Sequence, residues 1–136
     1  MRDPVSKFDA VMDVIITTQG SGAGGNTTAT ITVPKGEIWE VVMGIAYHDD
    51  VARNCQWSIS DGTDSSVLSA VLSCAGSVPM YLADGYDGTS HVRSWLAPPI
   101  MRYGQQIAFT AQAMAGAKTI TVKLVVNKLR GAELWA

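Results

Sequence analysis

Between Lys118 and Lys128 apolar and polar positions alternate, with Ile120, Val122, Leu124 and Val126 on one face and Thr119, Thr121, Lys123 and Asn127 on the other. A period of two marks a half-buried strand, because successive Cβ atoms point to opposite sides of a sheet. The same alternation predicts strands at Met12-Val14-Ile16, at Ala29-Ile31-Val33 against Thr28, Thr30 and Thr32, at Cys55-Trp57-Ile59, and at Ile107-Phe109-Ala111. Shorter candidates are Val78 to Leu82 and His91 to Leu96. From Ile38 to Tyr47 the period puts Trp39, Val41, Met43, Ile45 and Tyr47 on one face, and Glu40, Val42, Gly44 and Ala46 on the opposite one. Turn-forming pairs and triplets separate these runs, among them Pro34-Lys35-Gly36, Asp61-Gly62, Asp84-Gly85, Asp87-Gly88, Pro98-Pro99 and Tyr103-Gly104.

One segment is ambiguous. From Asp64 to Gly76 the residues Val67, Leu68, Val71 and Leu72 fall at helical spacing, with Asp64 as an N-cap and Gly76 as a stop, so a short helix and a strand are both open there. Elsewhere many short strands at roughly ten-residue spacing predict an all-β, antiparallel β-sandwich or jelly-roll-like domain of seven to nine strands. The domain is expected over residues 11–128, between an N-terminal arm (1–10) and a C-terminal arm (129–136). The tail LRGAELWA carries Leu134 and Trp135 beyond the last clear strand. With Leu129 and Phe8 these are the candidate partner-binding residues, since apolar arms either fold back or dock on a neighbour.

Composition changes the picture in one respect. The 136 residues are 47% hydrophobic, which is ordinary, but only 16% are Asp, Glu, Lys or Arg, where about a quarter is usual. The residues opposite the apolar faces are Thr, Ser, Gln and Ala more often than Lys or Glu. Such faces pack against another subunit without burying an unpaired charge, so they suit protein partners. A net charge of -2 and the absence of any basic run argue against nucleic acid as a partner. No apolar stretch approaches the ~20 residues that span a bilayer, and the start, MRDPVSKFDAVMDV, places acids where a signal peptide needs an apolar run, so neither membrane insertion nor export by the general route is expected.

The motifs that suggest chemistry are weak. GSGAGGNT, from Gly20 to Thr27, matches GxGxxG, but Asn26 stands where a phosphate-binding lysine belongs, and TTATITVP follows where a helix should start. A flexible loop reaching toward a neighbour is the expected role. His48-Asp49-Asp50 offers cation ligands, although a strand running into a polar turn explains it better. With only two histidines, His48 and His91, a histidine-rich metal centre is not expected. DGTD (Asp61 to Asp64) and DGYDG (Asp84 to Gly88) lack the further ligands of a calcium loop and have the composition of tight turns. No serine lies in GxSxG and neither cysteine adjoins a histidine, so neither an enzyme nor a cofactor is expected. Cys55 and Cys74 are either one bridge or, the preferred account, two buried thiols. Trp57, Tyr81, Tyr86 and Trp95 would form a sugar-stacking platform if they shared an exposed face, though Trp57 and Trp95, inside alternating strands, are expected in the core.

Over residues 27 to 131, TVPKGEIWEVVMGIAY, the WSISDG strand and turn, LAPPIMRYGQQIAF and TITVKLVVNKLRG together resemble small β-sandwich virion proteins of tailed bacteriophages. Val33, Pro34, Gly36 and Trp39 match a VPxGxxW strand opening, and Pro99, Gly104, Ile107 and Phe109 match the proline strand and glycine turn before the last two strands. The resemblance implies a capsid decoration or cement protein on the virion exterior. It would clamp the major capsid protein as a homo-oligomer, commonly a trimer, with no catalytic or metal residues to carry over. The alternative is a carbohydrate- or receptor-binding module of a tail fibre.

Overall fold

The computed structural model describes residues 10–61, 63, 65–67, 71–82 and 100–129. The described residues form ten ladder segments: β1 (Ala10–Gly20), β2 (Thr27–Thr32), β3 (Trp39–His48), β4 (Arg53–Ser60), β5 (Ser65–Val67), β6 (Leu72–Cys74), β7 (Met80–Tyr81), β8 (Ile100–Met101), β9 (Gln106–Ala111) and β10 (Thr119–Leu129). Eight of these run three residues or longer, and two are two-residue bridges. One sheet has the order β1-β10-β3-β7, with β8 also on β3, and the other has β2-β9-β4-β5, with β6 also on β4. All pairings are antiparallel.

β5 and β6 lie along one side of β4, and β7 and β8 along one side of β3, so each pair acts as one interrupted strand. Eight strands then pair first with last across two sheets, which is the jelly-roll arrangement. The ambiguous stretch is settled within its described part: Ser65–Val67 and Leu72–Cys74 are strands. The ladder that β4 offers along its open side satisfies more backbone groups than a short helix, marginal in water, would.

The core lies between the sheets, built around Trp57, Phe109, Ile107, Leu124, Met80 and Met101, all fully buried. Trp57 meets Phe109 edge-to-face at 5.2 Å and 65°, so this tryptophan fills the core as its alternation predicts. Trp39 is buried too, and its indole N–H donates to Glu37 Oε1 at 2.8 Å. Two turns close as their sequences predict. Pro34-Lys35-Gly36-Glu37 and Arg102-Tyr103-Gly104-Gln105 place glycine third, at φ 86° and 85°, with the fourth N–H bonded to the first carbonyl.

The face assignment of β3 differs from the alternation. The β3–β10 register shifts between Val125 and Val126, whose partners are Met43 and Val41, so Val42 is an extra, bulged residue. A bulge reverses every side chain beyond it. Trp39 and Val41 face the core, but Gly44, Ala46 and His48 replace Met43, Ile45 and Tyr47 as the inward residues. Gly44 has to be glycine: a Cβ there would stand 2.7 Å from Leu82 Cβ and 3.2 Å from Leu124 Cδ2.

Candidate functional site

The bulge turns Met43 and Ile45 outward, beside the apolar outer residues of β1 and β10. On β1 the inward residue Ile15 packs on the core, leaving Met12 at 64%, Val14 at 51% and Ile16 at 58% exposure on the outer face. β10 contributes Val125, half-buried, and β3 contributes Met43 and Ile45. The register sets these side chains in rows: Val14, Val125 and Met43 in one, and Ile16, Lys123, Ile45 and Tyr81 in the next. A third row runs Met12, Asn127, Glu40 and Ile100, and a fourth runs Thr18, Thr121 and Tyr47. Rows ~6.8 Å apart on strands ~4.8 Å apart tile on the order of 500 Å² of sheet, within which Met12, Val14, Ile16, Val125, Met43 and Ile45 form an apolar patch comparable to the largest that a monomer usually exposes.

Two charged side chains, Lys123 and Glu40, stand within these rows. Lys123 lays its ammonium 5.7 Å from the centre of the Tyr47 ring. Glu40 accepts from Asn127 Nδ2 at 3.0 Å. At the end of β1, Lys128 bridges Asp13 at 3.0 Å and Glu37 at 3.4 Å. The hydrogen bond from Lys128 holds the Asp13 carboxyl below its usual range, and the same bond raises the lysine. The outer face of the second sheet is different in kind. Its rows are Thr28, Thr110, Gln56; Thr30, Ala108, Ser58; and Thr32, Gln106, Ser60, with Thr28 and Thr110 hydroxyls 2.8 Å apart. It is polar, uncharged and small-chained, as the composition predicts.

The other sequence candidates fall into structural roles or outside the described residues. His48 is fully buried: its Nδ1 accepts from the Asp50 N–H at 3.1 Å and its Nε2 bonds the Cys74 carbonyl at 2.9 Å. Asp50 accepts from the N–H groups of Ala115 (2.8 Å) and Val51 (2.7 Å) and from Arg53 Nε (2.9 Å). These bonds, the Ala115 one first, hold its carboxyl down at about 2 against the effect of burial. Asp49 accepts from the Thr119 N–H. The His48-Asp49-Asp50 turn thus ties three loops together, and among the described residues no three His, Cys, Asp or Glu gather as metal ligands.

The glycine loop is anchored rather than reaching outward. Gly24 N–H donates to Met114 O, Met114 N–H to Gly25 O, Ser21 N–H to Lys118 O, and Ala113 N–H to Asn26 Oδ1. Its backbone donors serve the β9–β10 turn, and a strand follows it. Cys55 and Cys74 are free and buried. A hydrogen bond with Cys74, together with burial, raises the Cys55 thiol far above its ordinary range.

Leu129 is the half-buried last residue of β10, paired with Ala10, its N–H held by Ile38 O at 2.8 Å. Phe8, Leu134 and Trp135 lie outside the described residues, as do Tyr86, His91, Trp95, the loop from Asp84 to Gly88, and Gly62 and Asp64. Of the proposed sugar platform, Trp57 is in the core and Tyr81 half-buried on β7, so its described members do not meet on one exposed face.

The pairing pattern defines the class: an all-β, two-sheet jelly-roll sandwich. No family model matches the chain, and no curated protein matches it. Among solved structures it is similar to the STIV MCP, a viral capsid protein, at 13% identity over 93% of this chain and 44% of that one, TM-score 0.45. It is also similar to the CBM22-1 xylan-binding domain of Paenibacillus barcinonensis Xyn10C, at 8% identity over 90% and 85%, TM-score 0.40. A third likeness is to the N-terminal cellulose-binding domain of Cellulomonas fimi β-1,4-glucanase C, at 16% over 85% and 76%, TM-score 0.31. At such identities and scores nothing about ligand or role passes from them to this chain.

Proposed function

We propose that this chain is a non-catalytic structural protein of a virion, of the capsid decoration or cement type. It would bind the major capsid protein on the capsid exterior and associate with copies of itself. The observation that supports this reading is the apolar outer face of the β1-β10-β3 sheet. Covering Met12, Val14, Ile16 and Met43 would take their exposed parts from water, each contributing roughly half of the ~1.5–3 kcal/mol of a full side-chain burial, while Lys123 in the same rows would have to keep its solvent contact or meet an opposite charge. Protein partners fit such a surface; phosphates, which need charged or polar donors, do not.

The test is addition of the purified chain to isolated capsids that lack it. The double variant Val14→Lys, Ile16→Lys is expected to reduce binding at least tenfold, or ~1.4 kcal/mol, while thermal unfolding stays near wild type. Binding unchanged by both lysines would refute the assignment of this face.

A carbohydrate-binding module is the second reading. The observation favouring it is that Tyr47 and Tyr81 lie diagonally across β3 and β7 on that same face, a spacing that rings stack over. Against it, Lys123 already sits by the Tyr47 ring. Affinity electrophoresis in xylan, cellulose and host polysaccharide gels separates the two: retardation that Tyr47→Ala and Tyr81→Ala abolish would select the module.

A further inference from the structure

Among the described residues the two sheets offer four edges, and two of them, β1 and β2, have no strand on their open side. The β4 side is closed by β5 and β6, three residues each, and the β3 side by β7 and β8, two residues each. The third edge, β2, has six residues between the anchored glycine loop and Pro34. β1 is different: eleven residues, AVMDVIITTQG, paired to β10 without a break in register and, among the described residues, to nothing on its other side. It has no lysine, proline or bulge, and its single charge, Asp13, on the core-facing side opposite Val126, is paired with Lys128.

We infer that β1 pairs antiparallel with β1 of a second copy about a two-fold axis, joining the two β1-β10-β3 sheets into one continuous sheet. The occupant of an open edge is fixed by complementarity, and β1 is complementary to itself. A two-fold axis perpendicular to the sheet keeps outer faces outer, and the pleat makes paired residues share a face. Registers centred near Ile15, the middle of the strand, set Met12, Val14, Ile16 and Thr18 of one copy among the same residues of the other. Only the register centred on Asp13 opposes like charges. The product doubles that outer face to on the order of 1,000 Å² of sheet, a bivalent platform for the shell. What the dimer does thus rests on the decoration-protein reading; whether it forms does not.

The first measurement is the mass of the full chain in solution by light scattering across a concentration series, with twice 14.4 kDa expected. The second is a cysteine scan, Met12→Cys, Val14→Cys, Ile16→Cys and Thr18→Cys, each under mild oxidation. The native thiols are buried, so cross-linking to a dimer is expected to peak at the one or two scanned positions nearest the axis and fall beyond them. A mass of one chain at every concentration overturns the inference, as does three times the chain mass. A dimer without β1 cross-links overturns it too, placing the contact elsewhere, and a monomer whose β1 edge amides resist hydrogen exchange shows that the chain's own end segments cover the edge. Capsid addition is scored separately. A monomer that adds to capsids defeats the edge pairing alone, and a cross-linked dimer that does not add defeats the decoration role alone.

Discussion

At Gly76 a Cβ would collide with the carbonyl oxygen of Asp50, so the close approach of the β6 end to the His48-Asp49-Asp50 turn depends on the missing side chain. Gly76→Ala is expected to cost about 1–3 kcal/mol, read as a Tm drop of roughly 5–15 °C, with Gly44→Ala similar because of Leu82 and Leu124. Asp50 gives a pH prediction. Its folded pKa, about 2, lies below the ~3.9 of an unfolded aspartate, so its stabilisation is full above about pH 4 and lost as pH falls toward 2. Denaturant midpoints at pH 7, 4 and 2.5 should fall more steeply for the wild type than for Asp50→Asn, whose stability at pH 7 should be lower. None of this was legible in the sequence, where Gly76 reads as a helix stop and Asp50 as half of an acidic pair. Their roles come from partners 26 to 65 residues away.

Among the elements, the β9–β10 turn runs through Ala113 at φ 52° and Ala117 at φ 60°, the left-handed region where a Cβ is strained. Ala113→Gly and Ala117→Gly are each expected to raise stability by about 0.5–1 kcal/mol, the relief exceeding glycine's unfolded-state entropy, as checked by urea unfolding. Strands were the most legible level, since β2, β4, β9 and β10 follow their alternation residue by residue. β3 was legible as a strand but not in its facing, because a bulge at Val42 leaves no mark in a run as apolar as VVMGIAY. β5 and β6 were legible only as apolar positions. Whether those become strand or helix depends on the open side of β4, which is not a local property.

For the whole molecule, the first-with-last pairing of β1 and β10 means that nearly every ladder joins distant parts of the chain, so opening the core at one sheet exposes both. Cys55 and Cys74 report on this. Both thiols should resist alkylating reagents in native buffer and react together at the rate of global unfolding, with two equivalents titrated in denaturant. Rapid modification of one thiol alone would show a local opening at β4 and β6 instead.

Alternation, turn chemistry and composition by themselves determined that this chain makes strands, where most of them lie, and that its surface is sparing of charge. These are consequences of a two-residue period and of which side chains tolerate a turn, and both are local. Only the tertiary structure decided which side of each strand is the inside. Met12, Val14 and Ile16 alternate as well as Ile120, Val122 and Leu124 do, yet the first set faces out and the second in. A period of two says that residues share a face and is silent on which face meets the other sheet. That choice belongs to the pairing of β1 with β10 and of β10 with a bulged β3, and it leaves an apolar surface on the outside of the sandwich.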